Sequence, residues 1–243
     1  MTKTVLVVAN RSDADSGYVG ERLVQRGYQL RTLLRDAGEV PADVSAAGDV
    51  DLVVLLGSEW SVHAPSDEQS LDDECAFARS VQAAGVPLLG ICYGAQVIAQ
   101  AFGGRVSLAP EPEVGWVHVQ TQDPALVGAG PWLQYHVDTI DAPPEAEVLA
   151  TNACGQQAFV LPGVLAVQFH PEVRPHTLAD WVRRWPQRLA DAGLDEAAFL
   201  AETDARVPAS RASAYALVDA FLDRVARDGD GQDRSEASSH SSP

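Results

Sequence analysis

An apolar run at residues 86–90 passes through Gly90-Ile91-Cys92-Tyr93-Gly94 and straight into a helical pattern at 95–102. Few local structures accommodate a buried strand, a one-residue reversal and a helix in so short a span. G-x-C-x-G between a strand and a helix has the layout of a nucleophile elbow, with cysteine in place of serine. The flanking glycines let the backbone turn without a Cβ clash. The turn lifts the sulfur out of the sheet at a helix N-terminus, where the helix dipole favours negative charge. By itself the motif equally describes a small buried cysteine beside two turn glycines.

The neighbouring pattern supplies the sheet that such a turn requires. Residues 5–9 and 29–34 suit strands, with a helix at 18–25 between them ended by Gly27. Residues 51–56 form a continuous aliphatic run closed by Gly57, as in a strand buried on both faces of a parallel sheet. A helix at 71–84 ends at Gly85. This alternation predicts an α/β fold: an open, mostly parallel sheet with helices on both faces. Short runs at 116–120, 132–136, 147–151, 157–160 and 165–169 read as further strands, partly antiparallel. From His176 onward the spacing turns helical, at 178–189 and 209–227. Trp181, Trp185, Phe199 and Phe221 fall there on apolar faces expected to pack on the same domain. The chain thus divides into a domain at 1–190, a C-terminal helical extension at 191–227 packed on it, and a tail at 228–243. That tail has almost nothing apolar and is expected to be disordered.

Composition narrows the function classes. The formal charge is −17, and so acidic a surface repels phosphate backbones, which argues against nucleic-acid binding. No run of 18 or more apolar residues is present, and residues 5–9 suit a first strand better than a leader, so no membrane is expected. Three widely spaced cysteines, Cys75, Cys92 and Cys154, do not make a disulfide framework. Without a CxxC or close Cys/His pair, structural zinc is not expected either. A reducing, cytoplasmic setting fits this pattern.

A second segment gives Cys92 a partner. Val167-Gln168-Phe169-His170-Pro171-Glu172 ends a strand pattern. Residues two apart on an extended chain share a face. His170 and Glu172 can therefore sit side by side, Glu172 orienting the imidazole and His170 reaching the sulfur. That is the nucleophile–base–orienter logic of a catalytic triad, in the order Cys, His, Glu.

With these segments and Gln134-Tyr135-His136-Val137-Asp138 between them, the chain resembles the class I (triad-type) glutamine amidotransferases, nearest to the glutaminase domain of GMP synthase. The resemblance covers roughly residues 50–185. It implies the family's flavodoxin-like fold, Cys92 as nucleophile, His170 as general base and acid, and Glu172 as its orienter. It also implies that Gln96 and the main chain around Tyr135, Val137 and Asp138 hold glutamine. Developing charge on the substrate oxygen needs donors. One is the N–H of Tyr93. By position the other comes from Gly57-Ser58-Glu59, where the family usually has Gly-Gly-Pro, which makes it the N–H of Ser58. No metal or organic cofactor is needed.

The first functional expectation is a glutaminase that releases ammonia for a synthase. The chain carries no Gly-rich phosphate loop, so that synthase would be a separate protein. The alternative is a stand-alone γ-glutamyl hydrolase or peptidase acting on γ-glutamyl conjugates, with Trp60, His63 and Trp116 either lining a widened mouth or simply packing. A third possibility is an inactive binding module.

Overall fold

A computed structural model describes residues 2–226; the tail expected at 228–243 lies outside the described residues. One mixed sheet organises the chain. Its parallel half comprises β1 (Lys3–Ala9), β2 (Tyr28–Leu34), β3 (Leu52–Leu55), β4 (Leu88–Ile91) and β10 (Val164–Val167), in the order β2-β1-β3-β4-β10. An antiparallel half continues from β10 through β9 (Gly155–Leu161) and β7 (Trp132–Asp141) to β5 (Arg105–Val117). β8 (Glu147–Asn152) pairs with β9 and with the short β6 (Gln120–Thr121).

Alternation along the strands sends side chains to two cores. Val5, Val7, Leu52, Val54, Leu165 and Val167 face α1 (Gly17–Gln25) and the C-terminal part of α6 (Glu196–Ala220). Leu6, Val8, Val53, Leu55, Leu88 and Ala166 face α2 (Glu68–Ala83) and α3 (Tyr93–Ala101). All twelve of these strand residues are at most 1% exposed. At about 1.5–3 kcal/mol for each large aliphatic side chain removed from water, they fix the strand register that places the site. A third cluster joins Leu133 and Tyr135 of β7 to α4 (Pro175–Arg184), α5 (Pro186–Asp191) and the start of α6.

Three elements depart from the sequence expectation. β5 is thirteen residues long and begins at Arg105, well before 116. Its pairing with β7 breaks between Leu108 and Glu113, where Pro110 and Pro112 interrupt the ladder. Proline is tolerated there because β5 lies at the sheet edge. The helix expected at 178–189 is two helices. Pro186 has no N–H to donate, and Trp185 before it leaves the helical region at φ −129° and ψ 59°. α6 begins at Glu196 rather than 209 and carries Pro208 inside it, accepting one missing hydrogen bond on a largely exposed stretch.

Candidate active site

The carboxyl ends of β1, β3, β4 and β10 meet at one edge of the sheet, where open α/β folds bind ligands. At the end of β4, Cys92 has φ 51° and ψ −110°, the only non-glycine with positive φ among the described residues. A residue held in so unfavourable a conformation needs surroundings that over-determine it. They are visible: Cys92 N–H donates to Val167 O at 2.9 Å, and its carbonyl accepts from Gln96 N at 3.0 Å. Gly94 lies so close to β3 that a Cβ there would stand 2.1 Å from Leu55 O. The sulfur therefore sits at the N-terminus of α3, where the first N–H groups have no partner within the helix.

His170 comes three residues after β10. Its N–H donates to Leu133 O at 2.8 Å, which ties it to β7. Its Nδ1 donates to Glu172 Oε1 at 2.8 Å, and both side chains are buried. The start of α1 presses on Glu172: Tyr18 N–H donates to Glu172 O at 2.9 Å, and a Cβ on Gly17 would lie 1.7 Å from that oxygen. Only glycine permits this approach. Burial is the largest influence on His170 and works against its charge. The charges of Cys92 and Glu172 and their hydrogen bonds outweigh it, holding the imidazolium well above its usual pKa of 6.5. The edge of Trp181 packs on the His170 ring at 4.8 Å between centroids.

The facing wall is the loop after β3. A Cβ on Gly57 would be 3.0 Å from His170 Cε1 and 3.6 Å from Cys92 Cβ, so this glycine closes over both side chains. Ser58 Oγ donates to Asn10 Oδ1 at 3.2 Å and accepts from Trp60 N at 3.0 Å. Behind the loop stands Arg35, which the sequence did not single out. It pairs twice with Glu74, at 2.9 and 3.1 Å, and donates to Leu56 O, Gly57 O and Asn10 Oδ1. Its guanidinium also lies 4.9 Å from the Tyr93 ring. Both segments expected to hold a developing oxyanion, at Ser58 and at Tyr93, thus rest on one buried cation.

The other expected substrate residues divide. Tyr135 lines the cleft with Ser58, Cys92 and His170. Gln96 does not; it is buried and donates to Gln168 Oε1 at 3.3 Å, while Gln168 Nε2 points at Cys92 Sγ from 3.7 Å. Val137 is half-buried, and Asp138 accepts from Ser61 Oγ at 2.6 Å. Neither of these side chains lines the cleft. Trp60, His63 and Trp116 are also absent from its walls: Trp60 packs on Tyr93, and Trp116 Nε1 donates to Thr203 Oγ1. The remaining lining is Asp13, Glu59, Trp181, Trp185 and Arg188. Cys75 is buried under α3, with its thiol pushed up to about 12 by burial, and takes no part in the cleft.

Among the described residues, no group of His, Cys, Asp and Glu is arranged to hold a metal ion, and no helix is long and apolar enough to cross a membrane.

An α/β scaffold with a strained cysteine at the end of one parallel strand, and a histidine–glutamate pair at the end of the next, defines a cysteine-dependent amide-hydrolase architecture. The class-I glutamine amidotransferase family matches residues 18–184, and the chain belongs to that family. It is 32% identical over 157 residues to one subunit of a glutamine-hydrolysing GMP synthase from Thermoplasma acidophilum, covering 61% of this chain and 76% of that one. It is 37% identical over 133 residues to the glutamine-hydrolysing GMP synthase of Aeropyrum pernix, covering 51% of this chain but 24% of that much longer protein. Among solved structures, a glutamine amidotransferase from Thermotoga maritima shares the fold with a TM-score of 0.80 at 22% identity, covering 91% of this chain and 99% of that one.

Proposed function

We propose that this protein hydrolyses the side-chain amide of glutamine through Cys92, His170 and Glu172 and passes the ammonia to a synthase on a separate chain. The observation that carries this is the strained Cys92 beside the buried His170–Glu172 pair, with the Gly57–Ser58 loop closing over it. Cys92 Sγ attacks the amide carbon, and the amide oxygen takes up negative charge facing the N–H groups of Tyr93 and Ser58. The His170 imidazolium gives its proton to the leaving nitrogen, so ammonia departs and a glutamyl thioester remains. His170, now neutral, takes a proton from water. The resulting hydroxide attacks the thioester, glutamate leaves, and the sulfur regains its charge beside a reprotonated His170. Glu172 keeps Nδ1 of the ring occupied, so that Nε2 serves the substrate. The two-chain arrangement is supported by the Thermoplasma relative, which is itself one subunit of its synthase.

Glutamate release from glutamine by purified protein tests this, alone and with a candidate synthase. Cys92→Ala is expected to reduce turnover on the order of 10⁶-fold while the thermal midpoint hardly moves. Turnover that survives in this variant, or that is confined to conjugates other than glutamine, overturns the proposal.

A further inference from the structure

The floor of the cleft is occupied by the reacting groups, but its mouth carries charges the chemistry above does not use. Arg188 of α5 lies 5.4 Å from the Tyr135 ring centre and 5.5 Å from that of Trp185. The chain has 34 acidic against 17 basic side chains, so carboxylates are in surplus. Even so, among the described residues none lies within salt-bridge distance of Arg188. On the same cleft stand two carboxyls, Asp13 and Glu59, and these too have no cationic partner within that distance. Trp181, 5% exposed and in the same wall, has an indole N–H with no hydrogen-bond acceptor in good geometry, although it is turned toward Asp13. A half-buried cation and a half-buried acid, neither with an ion-pair partner among the described residues, thus line one opening. Charges not already neutralised by the protein have the most to gain from a ligand of opposite charge.

We propose that Arg188 and Asp13 form a head-group subsite that selects amides carrying a free α-carboxylate and a free α-ammonium, Arg188 binding the first and Asp13 the second. This rests on Cys92 attacking a side-chain amide. In glutamine the carbon bearing both head groups is three bonds from the amide carbon. With the amide carbon at Cys92, the head group lies a short chain away, within the cleft that Arg188 and Asp13 also line. Tyr135, under Arg188, belongs to the segment expected to contact glutamine, so the two sets of contacts share one side of the cleft. As it stands the cleft is too narrow for more than about one water. Asp13, Trp185 and Arg188 all lie outside the segment that matches the family, residues 18–184.

The test compares the full chain with Arg188→Gln, Arg188→Lys and Asp13→Asn on three amides. These are glutamine, 4-aminobutanamide, which lacks the α-carboxylate, and 5-amino-5-oxopentanoate, which lacks the α-amino group. Arg188→Gln is expected to raise KM for glutamine by about 10–100-fold, the range for a hydrogen bond to a charged group, with kcat falling much less. Arg188→Lys recovers part of this. With 4-aminobutanamide the wild type is already impaired by a similar factor, and Arg188→Gln adds nothing further. Asp13→Asn shows the same pattern with 5-amino-5-oxopentanoate. An unchanged rate of Cys92 alkylation by iodoacetamide shows that the elbow in each variant is intact. Wild-type KM for glutamine in Arg188→Gln and Asp13→Asn overturns the subsite and leaves amide hydrolysis standing. So does a loss seen only with conjugates whose leaving amine bears a carboxylate, because Arg188 then faces the leaving group. If Cys92→Ala keeps full turnover, the underlying chemistry fails instead, and the subsite with it.

Discussion

At the floor of the cleft Cys92, His170 and Glu172 are buried, and each is pinned by contacts from at least one other element. At its rim Asp13, Trp185 and Arg188 are half-buried, and among the described residues neither charged side chain has an ion-pair partner. The floor comes from residues inside the segment shared with the family, whereas these three rim residues come from outside it. The difference fits the roles proposed for the two. Bond-making needs groups fixed before the substrate arrives, because reorganisation during the reaction adds to the barrier. Recognition needs groups that gain on binding, and a charge already satisfied by the protein gains little.

The comparison breaks first at Glu172 if the floor is less rigid than described. Glu172→Gln preserves shape but removes the charge that orients and stabilises the His170 imidazolium. We expect kcat to fall about 10⁴-fold, as when the carboxylate of a comparable triad is neutralised, with KM for glutamine changing little. Steady-state kinetics on the variant check this. A loss of tenfold or less would mean that the fold alone positions His170, through its N–H bond to Leu133.

Arg35 sharpens the comparison at the next level of effect. Arg35→Met leaves Glu74 buried without a counter-charge and is expected to destabilise the protein by about 3–5 kcal/mol in urea unfolding. Pairing it with Glu74→Leu removes the orphaned charge and restores most of that stability. Leu56 O and Gly57 O still lose their donors, so the doubly substituted protein should fold but turn over on the order of 10²-fold more slowly. Wild-type kcat in the double variant would show that Arg35 supports the fold only and does not position the oxyanion wall.

The floor was also far more legible than the rim. Gly90–Gly94 marks a tight strand-to-helix turn, and the pairing of His170 with Glu172, which makes that turn a site, follows from strand periodicity. Both are local patterns, so sequence reports them directly. Arg35 meets Glu74 across 39 residues and looked like any other arginine, because a long-range buried ion pair leaves no local spacing. Arg188 was hidden differently. The apolar spacing through 178–189 suggested one continuous helix. Only the break imposed by Pro186 creates the short α5 on which Arg188 stands, and Trp181 and Trp185, expected to pack, line the cleft as well. Asp13 sits in a three-residue turn after β1 with no motif around it. The strand β5 was under-read for a related reason, since prolines that forbid a central strand are permitted at an edge.

The smallest effect is a pH limb that separates rim from floor. Burial, the largest influence on Asp13, pushes its carboxyl up to about 6. The Trp181 N–H and His170 pull it down, while Glu172 and Glu59 push it further up. Above that value Asp13 is charged and attracts the α-ammonium; below it the attraction is lost. We therefore expect kcat/KM for glutamine to fall by about tenfold between about pH 7 and about pH 5, mainly through KM. His170 does not cause this fall, because its raised pKa and the falling pH both favour the imidazolium, the form that begins the proposed reaction. Nor is it acid unfolding at Asp13. A carboxyl whose pKa is higher folded than unfolded weakens the fold as pH rises, and its protonation favours folding as pH falls. Asp13→Asn should flatten the limb and give near neutral pH the KM that the wild type reaches in acid. The limb should also be missing in the wild type with 5-amino-5-oxopentanoate, which has no ammonium to lose. If the limb persists in Asp13→Asn, the titrating group is elsewhere and the rim is not where the amino group is read.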